Sequence, residues 1–446
     1  MFRVRGWGMT QLTRAMRLPD STALVVGTII GASIFVQPSE ITRLVPTSPG
    51  ITLVWTISGV LTLLGALICA ELSSAFPRTG GVYVFLREIF GAPIAFLWGW
   101  AMFWSMHTGI IAAIAVVFGR YVGYFVPLDT TGVRLVAVGA VASLSAVNCF
   151  GIRQGSRLQT IITAAKVAAI GLLIVAGLTL APDSVRNEPV APVSAANVML
   201  ALFAGLFAFG GWHMVTYTAE ETVNPERTIP RSLVIGIVIV TLCYVALNAI
   251  YLRVLPIAEV ASSSRVAADA ADALFGAIGG TLVAALVIVS TFGALNGIVL
   301  AGPRVYFSMA NDGLLFRWAV ALHPRYRTPA RAIVLQAVWS SVLIMTDTYR
   351  GLLTRVVYTE WIFFGLLAIG VVKLRRTEGY APFFRMAGVP LLPLAFAAAC
   401  VAITINQLVT DPVNSSIGLA ALVAGFPVYH LLAARRARGR TGAVLT

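Results

Sequence analysis

The chain has 446 residues, of which 58% are hydrophobic and 11% charged, with a net charge of +14. Its mean hydropathy is +0.88. A soluble globule cannot hide that much apolar surface behind so little charge, a disordered chain needs the opposite balance, and the long unbroken apolar runs exclude an outer-membrane barrel of alternating strands. An all-α polytopic membrane protein remains.

In chain order the sequence predicts twelve transmembrane helices, near residues 22–45, 50–76, 92–126, 133–150, 158–181, 195–218, 232–255, 274–308, 330–346, 351–374, 388–409 and 415–434. A crossing helix needs about 20 mostly apolar residues. The fourth and ninth runs are short, and the third and eighth are long. Turn-forming stretches at 77–81, 181–192 and 224–230 separate neighbours. No cleavable signal peptide is evident, because the first residues are basic and polar. An even number of spans puts both termini on one side. Most basic residues, among them Arg3, Arg5, Arg78, Arg87, Arg153, Arg157, Arg227, Arg231, Arg435 and Arg436, then fall in segments on that side, which places both termini in the cytoplasm. The expected setting is a plasma membrane, of the bacterial inner-membrane kind. The same bias accounts for the positive surplus without nucleic acid.

Two spans carry clusters of small residues in mid-membrane. The first contains GTIIGASIF at 27–35, and the sixth contains FAFGGWH at 207–213. Glycine weakens a helix, and non-helical backbone at membrane depth persists only where it lines a cavity or is buried in protein. Small-residue packing explains either cluster alone. Together they hold corresponding places in two successive five-span blocks, and an odd number of spans inverts the second block. Paired interruptions of this kind point to the binding site of a secondary transporter. An unwound segment offers amide N–H groups at the start of one half-helix and carbonyls at the end of the other. Those suit the carboxylate and ammonium of a zwitterionic amino acid, with no protein charge required.

Three stretches resemble the amino acid–polyamine–organocation superfamily, and within it the prokaryotic-type relatives of the L-type amino acid transporters. They are GTIIGASIFVQP at 27–38, AELSSAFPRTGGVYVFLREIFG at 70–91 and FAFGGWHMVTYTAEETVNPERTIP at 207–230. Weaker likeness runs through 244–251 and 296–313. The resemblance implies a LeuT-like fold with broken helices 1 and 6: one five-helix repeat at 21–181, an inverted one at 195–376, and two added helices at 388–434. Cytoplasmic tails would occupy 1–20 and 435–446. It also implies that the substrate carboxylate lies on the amides of Ala32 and Ser33 beside Gly31, and the amine on the carbonyls of Ile29, Phe207 and Gly210. Phe207 would double as a lid, and Tyr244 would match the family's seventh-span tyrosine. The chain departs from the family's Gly-Ser-Gly-Ile-Phe at Ala32 and Ser33, so that the pocket is narrower or the Ser33 hydroxyl helps hold the carboxylate, and at His213, where a small polar residue is common.

Lys166 lies deep in the fifth span, one of only two lysines with Lys373. A charge there is costly and marks a functional place. In sodium-coupled relatives of the implied fold a cation bridges the first and fifth helices nearby. Lys166 would supply that charge permanently on carbonyls near Gly27 or Thr28, making transport sodium-independent; a titrating lysine would instead allow proton coupling. Tyr244 and Asn248 lie one turn apart and face the site together or bond between helices. Glu360 lines the pocket, favouring a polar or cationic side chain, or lies near the outer surface. Glu71 pairs with an inner arginine, and Glu220, Glu221, Glu226 and Arg227 form a charge network or inner gate. His107 reads as a packing residue, and Trp98, Trp100 and Trp104 as interfacial or packing aromatics.

No catalytic, cofactor or metal motif is present, so no enzyme is expected. The cysteines Cys69, Cys149, Cys243 and Cys400 are not spaced as a pair or a metal site. The loop at 119–134 has no cysteine, where the eukaryotic L-type transporters join a heavy subunit, so no disulfide-linked partner is expected. The sequence thus reads as a sodium-independent exchanger of small or medium neutral L-amino acids working by alternating access. The alternatives are a proton-coupled amino acid permease, a cationic amino acid or polyamine permease, and, in another class, a channel or receptor.

Overall fold

The computed structural model describes residues 12–181, 193–346 and 349–432, without the side chains of residues 317 and 349–357. The tails carrying Arg3, Arg5, Arg435 and Arg436, and most of the turn at 181–192, lie outside the described residues. The first crossing is α1 (Leu18–Ile29) and α2 (Ser33–Leu44), bent by 47° at the break between them. α3 (Ser48–Ala75) and the short α4 (Val82–Phe90) follow. α5 (Ala92–Ala101) and α6 (His107–Val122) are joined through a π-helical turn, Met102–Met106. Next come α7 (Thr130–Cys149), α8 (Ile152–Leu180) and α9 (Ala195–Ala208), which resumes after a break as a 3₁₀ helix, Trp212–Glu221. α10 (Pro225–Val254) leads through the short α11 (Ile257–Ser262) and α12 (Val266–Phe275) to α13 (Gly279–Ala301) and α14 (Pro303–Asn311). α15 (Ala330–Thr346), α16 (Tyr349–Leu374), α17 (Leu391–Thr410) and α18 (Pro412–Val423) complete the chain.

Among the described residues nine helical stretches are long and apolar enough to cross a membrane, or ten when the bent α1–α2 pair counts as one. α15, at 17 residues, falls below that length. α16 has 26 residues and begins where side chains are not described. The predicted eighth run at 274–308 starts inside α12, and Gly276 at φ 69 with the 3₁₀ turn Gly276–Ile278 separates α12 from α13.

Helix starts follow their capping chemistry. Asp20 accepts the Arg17 N–H at 2.9 Å, Asp129 the Gly132 N–H at 2.7 Å and Ser194 the Asn197 N–H at 3.1 Å. α8 shows how the bundle is sorted in a lipid solvent. Its inward stripe carries Gln159, Thr163 and Lys166 at helical spacing, all buried, while Ile161, Leu172 and Val175 are exposed on the other side. α1 runs through the middle, packed against α8, α10 and α13. This places the break after Ile29 at the centre of the bundle.

Candidate functional site

The first break comes from residues 30–32. Ile30 turns to ψ 90, and α2 restarts at Ser33. The first amides of α2 have no acceptor within the helix and form its positive end. The second break comes at Gly211, whose φ of 98 is left-handed. A Cβ there would stand 3.2 Å from Thr28 Cβ, so the two breaks touch through a glycine. The Thr28 hydroxyl lies 3.2 Å from the Gly211 carbonyl, and 2.8 and 3.0 Å from the carbonyls of Leu24 and Val25.

A cavity opens between the breaks. Ile29, Gly31, Ala32, Ser33, Phe207, Gly210 and Glu360 all line it, together with apolar residues of α6 such as Ile110 and Ile114. Thr28 lines it as well, whereas Gly27 and Lys166 do not. The Phe207 carbonyl accepts the Gly210 N–H at 3.1 Å. Helix-start amides on one wall and helix-end carbonyls on the other make the cavity complementary to a small dipolar molecule.

Tyr244 does not line the cavity, contrary to the expectation that it faces the site. It is fully buried in α10, and its hydroxyl lies 3.2 Å from the Ile29 carbonyl and 3.1 Å from the Ala208 carbonyl. It therefore ties the ends of α1 and α9 from behind, with Trp55 edge-on at 5.3 Å. The Asn248 side chain donates to the Tyr244 carbonyl at 2.8 Å, so the two do not face the cavity as a pair.

Lys166 sits behind the first break. Its Nζ donates to the carbonyls of Gly27 at 3.0 Å, Ile30 at 2.7 Å and Ser290 at 3.1 Å. Thr28 is not a partner; its own carbonyl packs against Gly211 instead. The ammonium has three protons and three acceptors. Gly27 is required here: a Cβ would fall 2.0 Å from Gln159 Nε2 and 2.3 Å from Thr163 Oγ1. The Ser290 hydroxyl adds contacts to the carbonyls of Ile30 at 3.1 Å and Gly31 at 3.2 Å. Sequence reasoning missed Ser290. It also missed a buried amide chain in which Asn148 donates to Asn296 at 3.0 Å and Asn296 to Gln159 at 2.8 Å.

Polar pairs gather at the end of the bundle where residues 12–17 lie. Met16 bridges to Thr222, and Val223 N–H donates to the Met16 carbonyl at 2.8 Å. Glu221 forms a two-pronged pair with Arg304 at 2.7 and 2.9 Å, each side chain 1% exposed. Glu71 holds Arg375 at 2.6 and 2.7 Å, and this hydrogen bonding raises the guanidinium further above its ordinary value. Arg87 pairs with Asp312 at 2.6 Å. Of the predicted network, Arg227 stacks over Phe383 at 4.6 Å. His107 bonds the Ile298 carbonyl at 2.9 Å, and His213 is packed among the rings of Trp98, Trp212 and Phe364. The four cysteines are free, and no cluster of three or more metal-ligating side chains occurs among the described residues.

A polytopic helical bundle whose broken helices enclose a cavity lined by helix-end backbone dipoles has the architecture of a secondary transporter. The family described as amino acid permease matches residues 17–429, and the chain belongs to it. It is 31% identical over 430 residues to the serine/threonine exchanger SteT of Bacillus subtilis, covering 96% of this chain and 98% of that one. It is 30% identical over 439 residues to the human cystine/glutamate transporter, with 96% and 86% covered. It is 31% identical over 442 residues to the mouse large neutral amino acids transporter small subunit 2, with 96% and 82% covered. The chain is an amino acid transporter of the L-type-like branch of the superfamily, not an enzyme.

Proposed function

We propose that the protein is a sodium-independent amino acid exchanger working by alternating access, with twelve crossings and both termini in the cytoplasm. Residues 21–181 and 195–376 are the two inverted repeats, 388–434 the added helices, and 1–20 and 435–446 the tails. The reading of α15 and α16 as crossings extends to the second repeat the five spans that run from the first break to the second. Substrate carboxylate lies on the amides of Ala32 and Ser33 beside Gly31. Its ammonium lies on the carbonyls of Ile29, Phe207 and Gly210, with Phe207 as the lid. Tyr244 acts by holding the Ile29 carbonyl in place.

The observation that carries the proposal is Lys166 Nζ on the carbonyls of Gly27, Ile30 and Ser290. A fixed ammonium there leaves no need for a coupling cation on the unwound helix. The exchange mode is supported by the printed name of the Bacillus relative. The apolar wall of Ile110, Ala113, Ile114 and Val117 takes the aliphatic part of the substrate's side chain. No disulfide-linked partner is proposed.

Counterflow in proteoliposomes tests this. Labelled amino acid enters vesicles preloaded with unlabelled amino acid, equally in sodium and in choline, and hardly enters empty vesicles. Uptake that requires sodium, or that is as fast into empty vesicles, would sink the reading.

A further inference from the structure

Among the residues whose side chains are described, Glu360 is the one acidic side chain lining the cavity, and no lysine, arginine or histidine lines it with it. It is 6% exposed, and its Oε1 has no hydrogen-bond partner among the described residues. The intramembrane ammonium of Lys166 does not relieve it, since its three protons lie on Gly27, Ile30 and Ser290. A buried carboxylate at membrane depth is costly unless something pairs with it. Apart from Thr28 and Ser33 the other lining side chains are apolar or aromatic, and the next residues on α16, Trp361 and Phe364, bring aromatic rings to the same cavity.

We propose that Glu360 receives a cationic nitrogen at the end of the substrate's side chain, so that the site takes basic amino acids. The inference rests on the exchanger reading above and adds the side-chain class. A zwitterionic head held on backbone dipoles needs no counter-charge. A second positive charge matches the single carboxylate, and the occupied site is then neutral. An ionised carboxylate only accepts hydrogen bonds, which fits the donors of an ammonium or guanidinium. Ring faces beside it favour a cation further. A hydroxyl side chain supplies one donor and leaves the charge uncompensated.

The test compares L-lysine and L-arginine with L-leucine and L-serine as counterflow substrates. The unaltered protein is expected to exchange the basic pair in preference. Glu360→Gln is expected to lower its lysine-to-leucine exchange ratio by about a hundredfold, the effect of leaving a buried charge without its partner. A measurement that needs no variant is thermal stabilisation of the purified protein by L-lysine against L-norleucine, which has the same carbon chain without the charge. L-lysine is expected to stabilise more. Preference of the unaltered protein for leucine, norleucine or serine would overturn the inference and leave the exchanger reading standing. So would a Gln variant with an unchanged ratio. Absence of exchange with any amino acid would overturn the exchanger reading, and this inference with it.

Discussion

Replacing Lys166 by methionine removes the ammonium and keeps most of the side chain's volume. Three hydrogen bonds are lost, to Gly27, Ile30 and Ser290. Bonds of a charged donor contribute about 1.5–3 kcal/mol each, roughly 4.5–9 kcal/mol for three. Against that stands the cost of keeping a charge at membrane depth, about 2.5–3.5 kcal/mol, which the variant escapes. The net loss is roughly 1–6.5 kcal/mol. It falls on the end of α1, where Gly27 lies in the last turn and Ile30 begins the break. The variant is therefore expected to unfold at a lower temperature in detergent and to lose most counterflow. Lys166→Ala opens space at the same carbonyls, and unwound-helix carbonyls are suited to sodium. Sodium chloride is then expected to raise the unfolding temperature of the alanine variant above its value in choline chloride, and to leave the unaltered protein unmoved. A methionine variant with unaltered unfolding temperature and exchange would refute the reasoning, because the ammonium would then not be holding the break.

Gly27→Ala is expected to misfold or to lose most transport, since its Cβ would meet Gln159 and Thr163 well inside contact distance; Gly31→Ala, whose Cβ finds only Ala294 at 3.5 Å, should fold and show a raised KM in counterflow. Tyr244→Phe removes the hydroxyl beside the Ile29 and Ala208 carbonyls and is expected to weaken stability by about 0.5–1.5 kcal/mol, with amino acid affinity falling as well, both read by thermal shift with and without substrate. Glu221→Gln leaves Arg304 buried without its anion and is expected to cost about 3–5 kcal/mol, while the double variant with Arg304→Met recovers part of that loss. A double variant no more stable than Glu221→Gln alone would show that the pair is not the source of the effect.

The breaks were legible because glycine clusters in apolar spans have few physical uses. Lys166 was legible because it is a lone charge in lipid-depth sequence. Helical periodicity gives the face on which a residue lies but not its partner. The spacing of Tyr244 and Asn248 allows either a site-facing pair or a bond between helices, and the Tyr244 hydroxyl makes the second, behind the broken helices rather than in the cavity. The Arg304–Glu221 pair joins residues 83 apart, and the Glu71–Arg375 pair residues 304 apart. No local pattern encodes such a match. Ser290 is not legible because a serine in an apolar helix carries no charge to betray it, although its hydroxyl supports the Ile30 carbonyl that Lys166 also holds. Glu360 stood out by charge, but whether it faced lipid, solvent or the cavity depended on how α16 is turned, and that is set by tertiary packing.

The distribution of charge follows from what each part of a transporter has to do. The cavity must bind and release, so apart from Glu360 it relies on backbone groups already polarised by their helices. The end that carries residues 12–17 must hold shut and still open. There the 3₁₀ helix Trp212–Glu221 is tied to α14 by a buried two-pronged pair and to the N-terminal segment by backbone bonds. Arg87–Asp312 joins α4 to the residue after α14 and is partly exposed. On the alternating-access reading these contacts resist opening very unequally. A partly exposed pair exchanges its partner for water at little cost. Glu221 and Arg304 cannot separate without either water entering or a new partner arriving. Opening at this end is therefore expected to move the 3₁₀ helix and α14 as one body and to break the exposed pair first. Cross-linking Glu221Cys to Arg304Cys would confuse the two cases, because it removes the pair it is meant to trap. Charge reversal at Arg87 and Asp312 together separates them: a restored pair of opposite polarity should leave exchange nearly unaltered, whereas either reversal alone should favour the open end.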